Sequence, residues 1–346
     1  MDGYALGKPA GNTWRLVGQV PAGHPAEKEL LPGQAARIFT GAALPGGTWA
    51  VISGEEAAVA GEEIRLLKGT GAGANIEQAG SEVRAGEIIL EAGTSLGPAE
   101  SGLLAALGVE RVRVYRRPRV ALICTGSELR LPGQALEYGQ VYASNLAMLA
   151  AACLLAGAEV IYRGVAADDL QQIFALMERA LPGADLLLIS GGAAGSEYDF
   201  TSAAFRLLGG EILFQELAIR PGRKVVAGAL EKKLLLGLPG RPPAALAAFY
   251  LVAVPVLRFL AGLKPGPEFF TAILTKPLKG NPRPSRKFIW AKLSIEEGRL
   301  LATPLFNPEG ICAAIGADAL VEIPPHCPDL HPGSRVRTAR LPRHGW

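Results

Sequence analysis

Between residues 119 and 262 short apolar runs alternate with helical stretches, in the order RVALICT, NLAMLAAACLLAG, EVIYRGV, DLQQIFALMERAL, DLLLIS, FTSAAFRLLGG, EILFQEL. Parallel strands cannot be joined by a tight turn, so a chain that repeats strand, helix, strand builds a parallel sheet wound with helices. This alternation constrains the fold more than any other feature, and it sets the fold class as α/β with a central wound sheet of parallel type.

The flanking segments have a different texture. Residues 1–92 are rich in Gly and Pro, with short β-type runs such as ARIFT, WAVIS and EIRLL between turn signals, and read as a small β domain. Residues 93–117 read as a connector: one helix capped by Ser95, apolar at Leu103, Leu104 and Leu107 and stopped at Gly108, feeding a short strand that ends at Pro118. Residues 118–262 form the wound sheet. Residues 263–346 alternate on a two-residue period between prolines and read as a C-terminal β domain. The uncharged run PPAALAAFYLVAVPVL (242–257) falls short of the ~18 to 20 residues that span a bilayer and contains Pro255, so a buried helix is expected.

Lys+Arg 35 against Asp+Glu 32, a net charge of +3, is too balanced for a nucleic-acid surface, while small anionic ligands stay open. Cys124, Cys153, Cys312 and Cys327 stand far apart without a CxxC pair, which argues against structural zinc and against a disulfide scaffold. A reducing cytoplasm follows as the expectation, and MDGYALGKPA has neither the basic start nor the apolar middle of a signal peptide. Neither a nucleic acid nor a membrane is expected as partner.

Ligands of wound sheets sit beyond the carboxyl ends of the strands, where loops converge. Three strands end there in unusual loops: TGSEL (125–129), GGAAGSEYD (191–199) and PGRPP (239–243). Their glycines let backbone approach a ligand, and free N–H groups there can cradle phosphate. Each loop singly is equally well a turn. Two carry acids, Glu128 and Asp199, and carboxylates facing phosphate are how proteins hold Mg²⁺; Asp199 reads equally as a helix cap before FTSAAFRLL. In AIRPGRKVVAG (218–228), Arg220, Arg223 and Lys224 flank a Pro-Gly bend, a presentation suited to an oxyanion and also found in solvated turns. No Ser-His-Asp or Cys-His pairing is apparent, and no nucleophile is assigned.

Taken in order, MDGYA (1–5), IFTGAALP (38–45), RVALICTGSEL, PGQALEYGQVYASN (132–145), ISGGAAGSEYDF, AIRPGRKVVAG and GLPGRPPAAL (237–246) resemble the molybdopterin molybdenumtransferases, the MoeA proteins, to which the C-terminal domain of gephyrin is also similar. The match covers nearly the whole chain. It implies an elongated, dimeric, multidomain protein with a MogA-like sheet domain, in which 1–92 corresponds to the family's domain II and 93–117 to a remnant of its domain I, some tens of residues before the first motif being absent here. It implies insertion of molybdate into adenylylated molybdopterin with release of AMP, aided by Mg²⁺ or Zn²⁺. By motif, Asp2, Thr40, Glu128, Asp199, Arg220 and Arg223 carry the catalytic roles, with Glu128 and Asp199 on the metal. Thr125, Gly126, Ser127, Gly191, Gly192, Ser196, Pro239, Gly240 and Arg241 hold the pterin nucleotide. In the family the cleft forms between subunits of a homodimer, so Asp2 and Thr40 would face the sheet loops across it. The molybdopterin adenylyltransferase and cofactor-accepting proteins are the further partners implied.

The chain departs from the family pattern at several points. Trp49 replaces an acid, Ser81 and Glu82 an acid pair, Ala194 and Ala244 serines, Arg241 an asparagine, and EGICAAIGADA a Gly-Ser and Ser-Ser stretch. Small hydroxyls and amides are lost while glycines, acids and cations remain. An alternative expectation is therefore a catalytically impaired member that binds molybdopterin or its nucleotide as carrier or sensor. A third is the adenylyltransferase step, whose enzyme shares the sheet domain.

Overall fold

The structure is a computed structural model that describes residues 2–191, 200–305 and 311–341. The chain divides into two compact units, residues 1–91 and 92–346.

The first unit is one six-stranded mixed sheet. Its strands are β1 (Gly3–Leu6), β2 (Thr13–Val20), β3 (Gln34–Ile38), β4 (Ala50–Ser53), β5 (Ala57–Ala60) and β6 (Glu63–Leu66), in the order β4-β1-β3-β2-β6-β5. Alternation puts Ala5, Val20, Ala36, Ile38 and Val51 into one small core, and Leu6, Trp14, Ala35, Ile52 and Ile64 into another. Gly3 is required by close approach: a Cβ there would lie 1.9 Å from the Ile52 carbonyl oxygen.

The second unit opens with α1 (Pro98–Ala106). The cap expected at Ser95 is instead Gly97, whose N–H donates to the Glu100 carboxylate at 2.8 Å, with Pro98 pre-setting the first helical turn. The helix stops at Gly108, with φ +75°, as the sequence indicated. The strand expected next does not form: residues 109–118 are irregular, because no neighbouring strand supplies a ladder. Side-chain bonds tie this segment down instead. Arg116 donates from both terminal nitrogens to Asp185 at 2.5 Å, and the Arg119 N–H donates to Asp185 at 2.8 Å.

The wound sheet follows, from β7 (Arg119–Thr125), β8 (Leu129–Arg130), β9 (Val141–Tyr142), α2 (Ser144–Leu155), β10 (Glu159–Ala166), α3 (Leu170–Ala180), β11 (Leu186–Ser190), α4 (Phe200–Leu207), β12 (Glu211–Phe214), β13 (Ile219–Arg220), β14 (Val226–Leu230) and β15 (Lys233–Leu238). The main sheet has the order β10-β7-β11-β15-β14-β12, and β8 and β9 pair separately. The first four strands are parallel, as the alternation requires, while β14 and β12 extend the edge antiparallel. Strands β7 and β11 are buried on both faces, against Leu149 and Cys153 of α2 on one side and Ile173 and Met177 of α3 on the other.

A continuous helical rod, Pro242–Leu260, then runs through α5 (Pro242–Ala248), a π-helical turn (Phe249–Ala253) and α6 (Val254–Leu260). It is long and apolar enough to cross a membrane, but it is apolar all round because it serves two cores. Ala248, Phe249, Ala253 and Leu257 pack on the wound sheet, while Ala247 with Leu246, Tyr250 and Leu251 packs against Trp290 and Leu320. The last strands are β16 (Phe269–Leu274), β17 (Arg286–Glu296), β18 (Arg299–Pro304), β19 (Ala319–Ile323) and β20 (Arg335–Arg340). Pairings β17-β18-β16-β20-β19 return to β17, closing a five-stranded barrel, and β13 leaves the wound sheet to pair with β17.

The Arg116–Asp185 clamp makes a pH prediction. The Arg116 guanidinium, the first cause, holds the Asp185 carboxyl below its ordinary value, and its side chain is only 17% exposed. A carboxyl more acidic in the folded state stabilises fully above its unfolded value near 4 and loses that contribution as pH falls through the folded value. Asp185→Asn is therefore expected to melt lower than wild type at pH 7, the gap closing in acid. Thermal melts from pH 7 down to 2.5 check this, and a gap independent of pH would refute it.

Candidate functional site

The wound sheet has a topological switch between β7 and β11: the chain steps from β7 outward to β10, then returns to the other side of β7. Loops leaving two such strands diverge and open a crevice. A cleft of about 970 Å³ lies there, walled by Thr125 at the end of β7, Ser190 and Gly191 at the end of β11, and Pro239, Gly240 and Arg241 after β15.

Glu128 reaches this cleft from a short loop fixed on both sides. The Leu129 N–H donates to the Gly126 carbonyl at 3.1 Å, and the Val141 N–H to the Glu128 carbonyl at 3.0 Å, so the β8–β9 ladder sets the position of the acid. Gly126 is the space the carboxylate uses. A Cβ at 126 would stand 2.7 and 2.8 Å from the two Glu128 carboxylate oxygens. Gly126→Ala is expected to push that flexible side chain aside without unfolding the sheet. Turnover should fall by up to about a hundredfold, the scale of an ångström-level misplacement, at nearly unchanged melting temperature; a large fall in melting temperature would contradict the assignment.

One expectation is corrected here. At two of the glycine bends the amide is not free: Gly126 N–H donates to the Ala166 carbonyl at 3.0 Å and Gly191 N–H to the Leu238 carbonyl at 3.3 Å. Ser127 is likewise engaged, its Oγ accepting from Asp168 N–H at 3.1 Å and its N–H donating to the Asp168 carboxylate at 3.4 Å. Gly126 and Gly191 serve close approach rather than donation. Gly191 has φ +103° and a Cβ there would sit 2.1 Å from the Thr125 carbonyl oxygen. Backbone meets backbone at the cleft floor, and side chains supply the polar groups.

Those side chains include a group the sequence reading missed. Asp168 lines the same cleft as Glu128, just after the end of β10. In VAADDL the second acid, Asp169, caps α3 by accepting from Gln172 N–H at 2.9 Å, which releases Asp168 for the cleft. A third strand ending in an acid was the available signal. Tyr142 and Asn145 also line the cleft, and both lay inside the quoted motif without being singled out. Cys124 borders it as well, but burial pushes its thiol up to about 12, so it is no thiolate at neutral pH.

The three cations of the Pro-Gly bend are not presented together. Arg223 and Lys224 face the cleft, whereas Arg220, on β13, faces a neighbouring basin of about 590 Å³. Arg223 donates from Nε and Nη2 to the Glu216 carboxylate at 3.0 to 3.1 Å. The basin adds two cations from the barrel, Arg283 and Lys287, that no motif had flagged. Arg241 and Ala244 border both hollows, so the wall between them carries one guanidinium and no hydroxyl.

In the first unit, Asp2 and Thr40 do come together: Thr40 N–H and Oγ1 donate to one Asp2 oxygen at 2.8 and 2.9 Å. The Thr40 N–H, first among the causes, holds the Asp2 carboxyl below its ordinary value. Gly192, Ser196 and Asp199, with Ala194, lie outside the described residues.

Three family models match this chain in sequence. Residues 1–108 match the MoeA N-terminal region (domain I and II), 121–258 a probable molybdopterin binding domain, and 271–341 the MoeA C-terminal region (domain IV). The chain belongs to the molybdopterin molybdenumtransferase (MoeA) family. It is 34% identical over 318 residues to the molybdopterin molybdenumtransferase of Bacillus subtilis, covering 90% of this chain and 74% of that one. To molybdopterin molybdenumtransferase 2 of Mycobacterium tuberculosis it is 34% identical over 353 residues, covering 97% and 86%. Two solved MoeA structures from Pyrococcus horikoshii superpose with TM-scores of 0.81 and 0.80 at 34% and 28% identity, covering 100% and 98% of this chain and 87% and 86% of theirs. In this MoeA-family chain the cleft belongs to the segment that matches the molybdopterin-binding model, and the basin joins it to the segment that matches domain IV.

Proposed function

We propose that this transferase of molybdenum cofactor biosynthesis binds adenylylated molybdopterin in the 970 Å³ cleft, takes molybdate from the adjoining basic basin, and releases AMP as molybdenum enters the dithiolene. The observation that carries the reading is the shared wall. One guanidinium, Arg241, borders a cleft whose lining includes the acids Glu128 and Asp168 and the cations Arg223 and Lys224, and also a second hollow lined by Arg220, Arg283 and Lys287. Cations in both hollows and a common border suit two anions that must meet.

The donors suit a hard cation. Glu128 and Asp168 offer oxygen only, and among the described residues no cluster of three His, Cys, Asp or Glu forms a self-sufficient cage. Mg²⁺ is bound through one or two carboxylates plus substrate phosphates, whereas structural Zn²⁺ prefers nitrogen and sulfur, so Mg²⁺ is the better fit. Held by Glu128 and Asp168, it would supply positive charge to the phosphate being released as AMP. The chain's own part is to orient. Arg223, fixed by Glu216, and Lys224 bear on phosphate, and Arg220, Arg283 and Lys287 hold the oxyanion.

The purified protein with adenylylated molybdopterin, molybdate and Mg²⁺ is expected to release AMP in proportion to molybdenum inserted. No release at any molybdate concentration would sink the transfer reaction. We also propose a homodimer in which Asp2 and Thr40 of a second copy complete the cleft, in keeping with the hydrogen bonds that pre-set this pair. Mixing inactive Asp2→Ala and Glu128→Gln proteins should then restore part of the activity, because hybrid dimers contain one intact site; no restoration after subunit exchange argues against sharing.

A further inference from the structure

One stretch of the second unit lies open to solvent along its whole length: every residue from 105 to 117 is exposed. Leu107, Val109, Val112, Val114 and Tyr115 are among them, at 40% to 68% exposure. Neither a turn nor a bend interrupts the chain between 109 and 118. Among the described residues, no backbone N–H or carbonyl from 110 to 117 has a hydrogen-bond partner in the protein. Straight backbone with free donors and acceptors, flanked by alternating valines, is what a sheet edge offers to an incoming strand.

The stretch is also held at both ends. At its start the Val109 N–H donates to the Leu104 carbonyl at 2.9 Å, which closes α1. At its finish Arg116 is clamped to Asp185, and the Pro118 carbonyl accepts from the Glu159 N–H at 2.8 Å. The Tyr115 ring lies against Gly262, where a Cβ would stand 2.5 Å from it. A segment anchored in this way loses little freedom when another chain is laid along it.

Charge decides what that chain must carry. Between 110 and 117 stand four arginines and one glutamate. Arg116 is taken by Asp185, and Arg111 meets only its neighbour Glu110 at 3.4 Å, in a pair 89% and 83% exposed. Arg113 and Arg117 make no ion pair among the described residues. A second copy does not answer this charge. Any twofold antiparallel pairing of the stretch with itself, centred on Arg111, Val112, Arg113 or Val114, sets an arginine directly opposite an arginine, which destabilises a ladder. Anionic lipid or nucleic acid would answer the arginines and leave the backbone groups and the valines unmet.

We propose that residues 109–117 are a docking strand for a partner protein, which adds an extended segment of alternating acidic and apolar residues. Main-chain bonds form the ladder, acids face the arginines, and apolar residues cover Val112 and Val114.

The full-length protein is titrated with a fluorescein-labelled peptide in which Glu and Val alternate, and with its counterpart carrying Lys for Glu, reading anisotropy. The acidic peptide is expected to bind saturably and about tenfold or more tighter than the lysine peptide, the scale of two or three cross-strand charge pairs, and to weaken as salt is raised. Hydrogen exchange should show the amides of 110–117 protected by the acidic peptide. Arg113→Glu should reverse the preference between the peptides. Val112→Pro and Arg113→Pro are tested singly, because consecutive amides of a strand point to opposite edges. One of the two should abolish binding at unchanged melting temperature, since neither amide bonds anything in the protein. Equal binding of both peptides, binding of neither, or no protection at 110–117 overturns the proposal. Protection that appears without peptide and rises with protein concentration means that a second copy covers the face, and overturns it too. So does retention of the protein by phosphatidylserine vesicles that Arg113→Glu abolishes while the acidic peptide fails to compete.

Discussion

Glu128→Gln is expected to reduce AMP release more than about a hundredfold, since even groups one step removed from a metal commonly cost about ten- to a hundredfold. The amide keeps the size, one oxygen and the loop, and removes only charge. Glu128 is exposed and its loop is held by backbone bonds of Gly126, Leu129 and Val141, so the melting temperature should stay within about 2 °C, as for ordinary surface changes. The Mg²⁺ dependence adds a second readout. If the carboxylate acts by holding the cation, raising Mg²⁺ should recover part of the lost rate; if it acts by taking a proton, no concentration will. Activity near wild type at ordinary Mg²⁺ would remove Glu128 from the site altogether.

The sheet was legible because burial on both faces leaves a simple trace. RVALICT, LLLIS and KLLLGL are uninterrupted apolar runs, and only a strand covered above and below by helices needs to be so. Strand β20 leaves a fainter trace for the opposite reason: RVRTAR buries Val336, Thr338 and Ala339 but sends arginines outward, so its apolar signal is weak, and the Arg337 guanidinium sits 3.7 Å from the Phe269 ring centre. The strand expected after Gly108 was misread because alternation in VERVRV marks what a segment could do, while pairing depends on a neighbour that local sequence does not reveal. At the site, Glu128 and the glycine loops were visible as motifs. The direction of the amides, the division of labour between Asp168 and Asp169, and the parting of Arg220 from Arg223 depend on where β10 and β17 lie, which is tertiary information.

Removing both Arg286 and Arg337 is expected to cost about 3–5 kcal/mol of stability, the range for stranding a buried charge. Glu322 on β19 has a side chain only 2% exposed, and its two oxygens are held by Arg286 and by Arg337, the latter at 3.1 Å. The guanidiniums are 51% and 54% exposed. The arrangement is therefore lopsided: the cations can return to water and the carboxylate cannot. Glu322→Leu, which deletes the acid and leaves the arginines free to turn outward, should be far milder than the double arginine variant despite breaking the same bonds. Adding Glu322→Leu to Arg286→Ala and Arg337→Ala should recover much of the loss. Urea midpoints for the three proteins test this, and a double arginine variant as stable as wild type would refute it. The consequence reaches the site, because Arg286 pairs with Ile219 in the β13–β17 ladder, its N–H donates to the Ala218 carbonyl at 2.8 Å, and Arg220 and Lys287 are the next residues along the two strands. A barrel that loses this anchor should bind oxyanion more weakly at temperatures well below its own melting, since the two basin cations depend on that strand pair for their spacing.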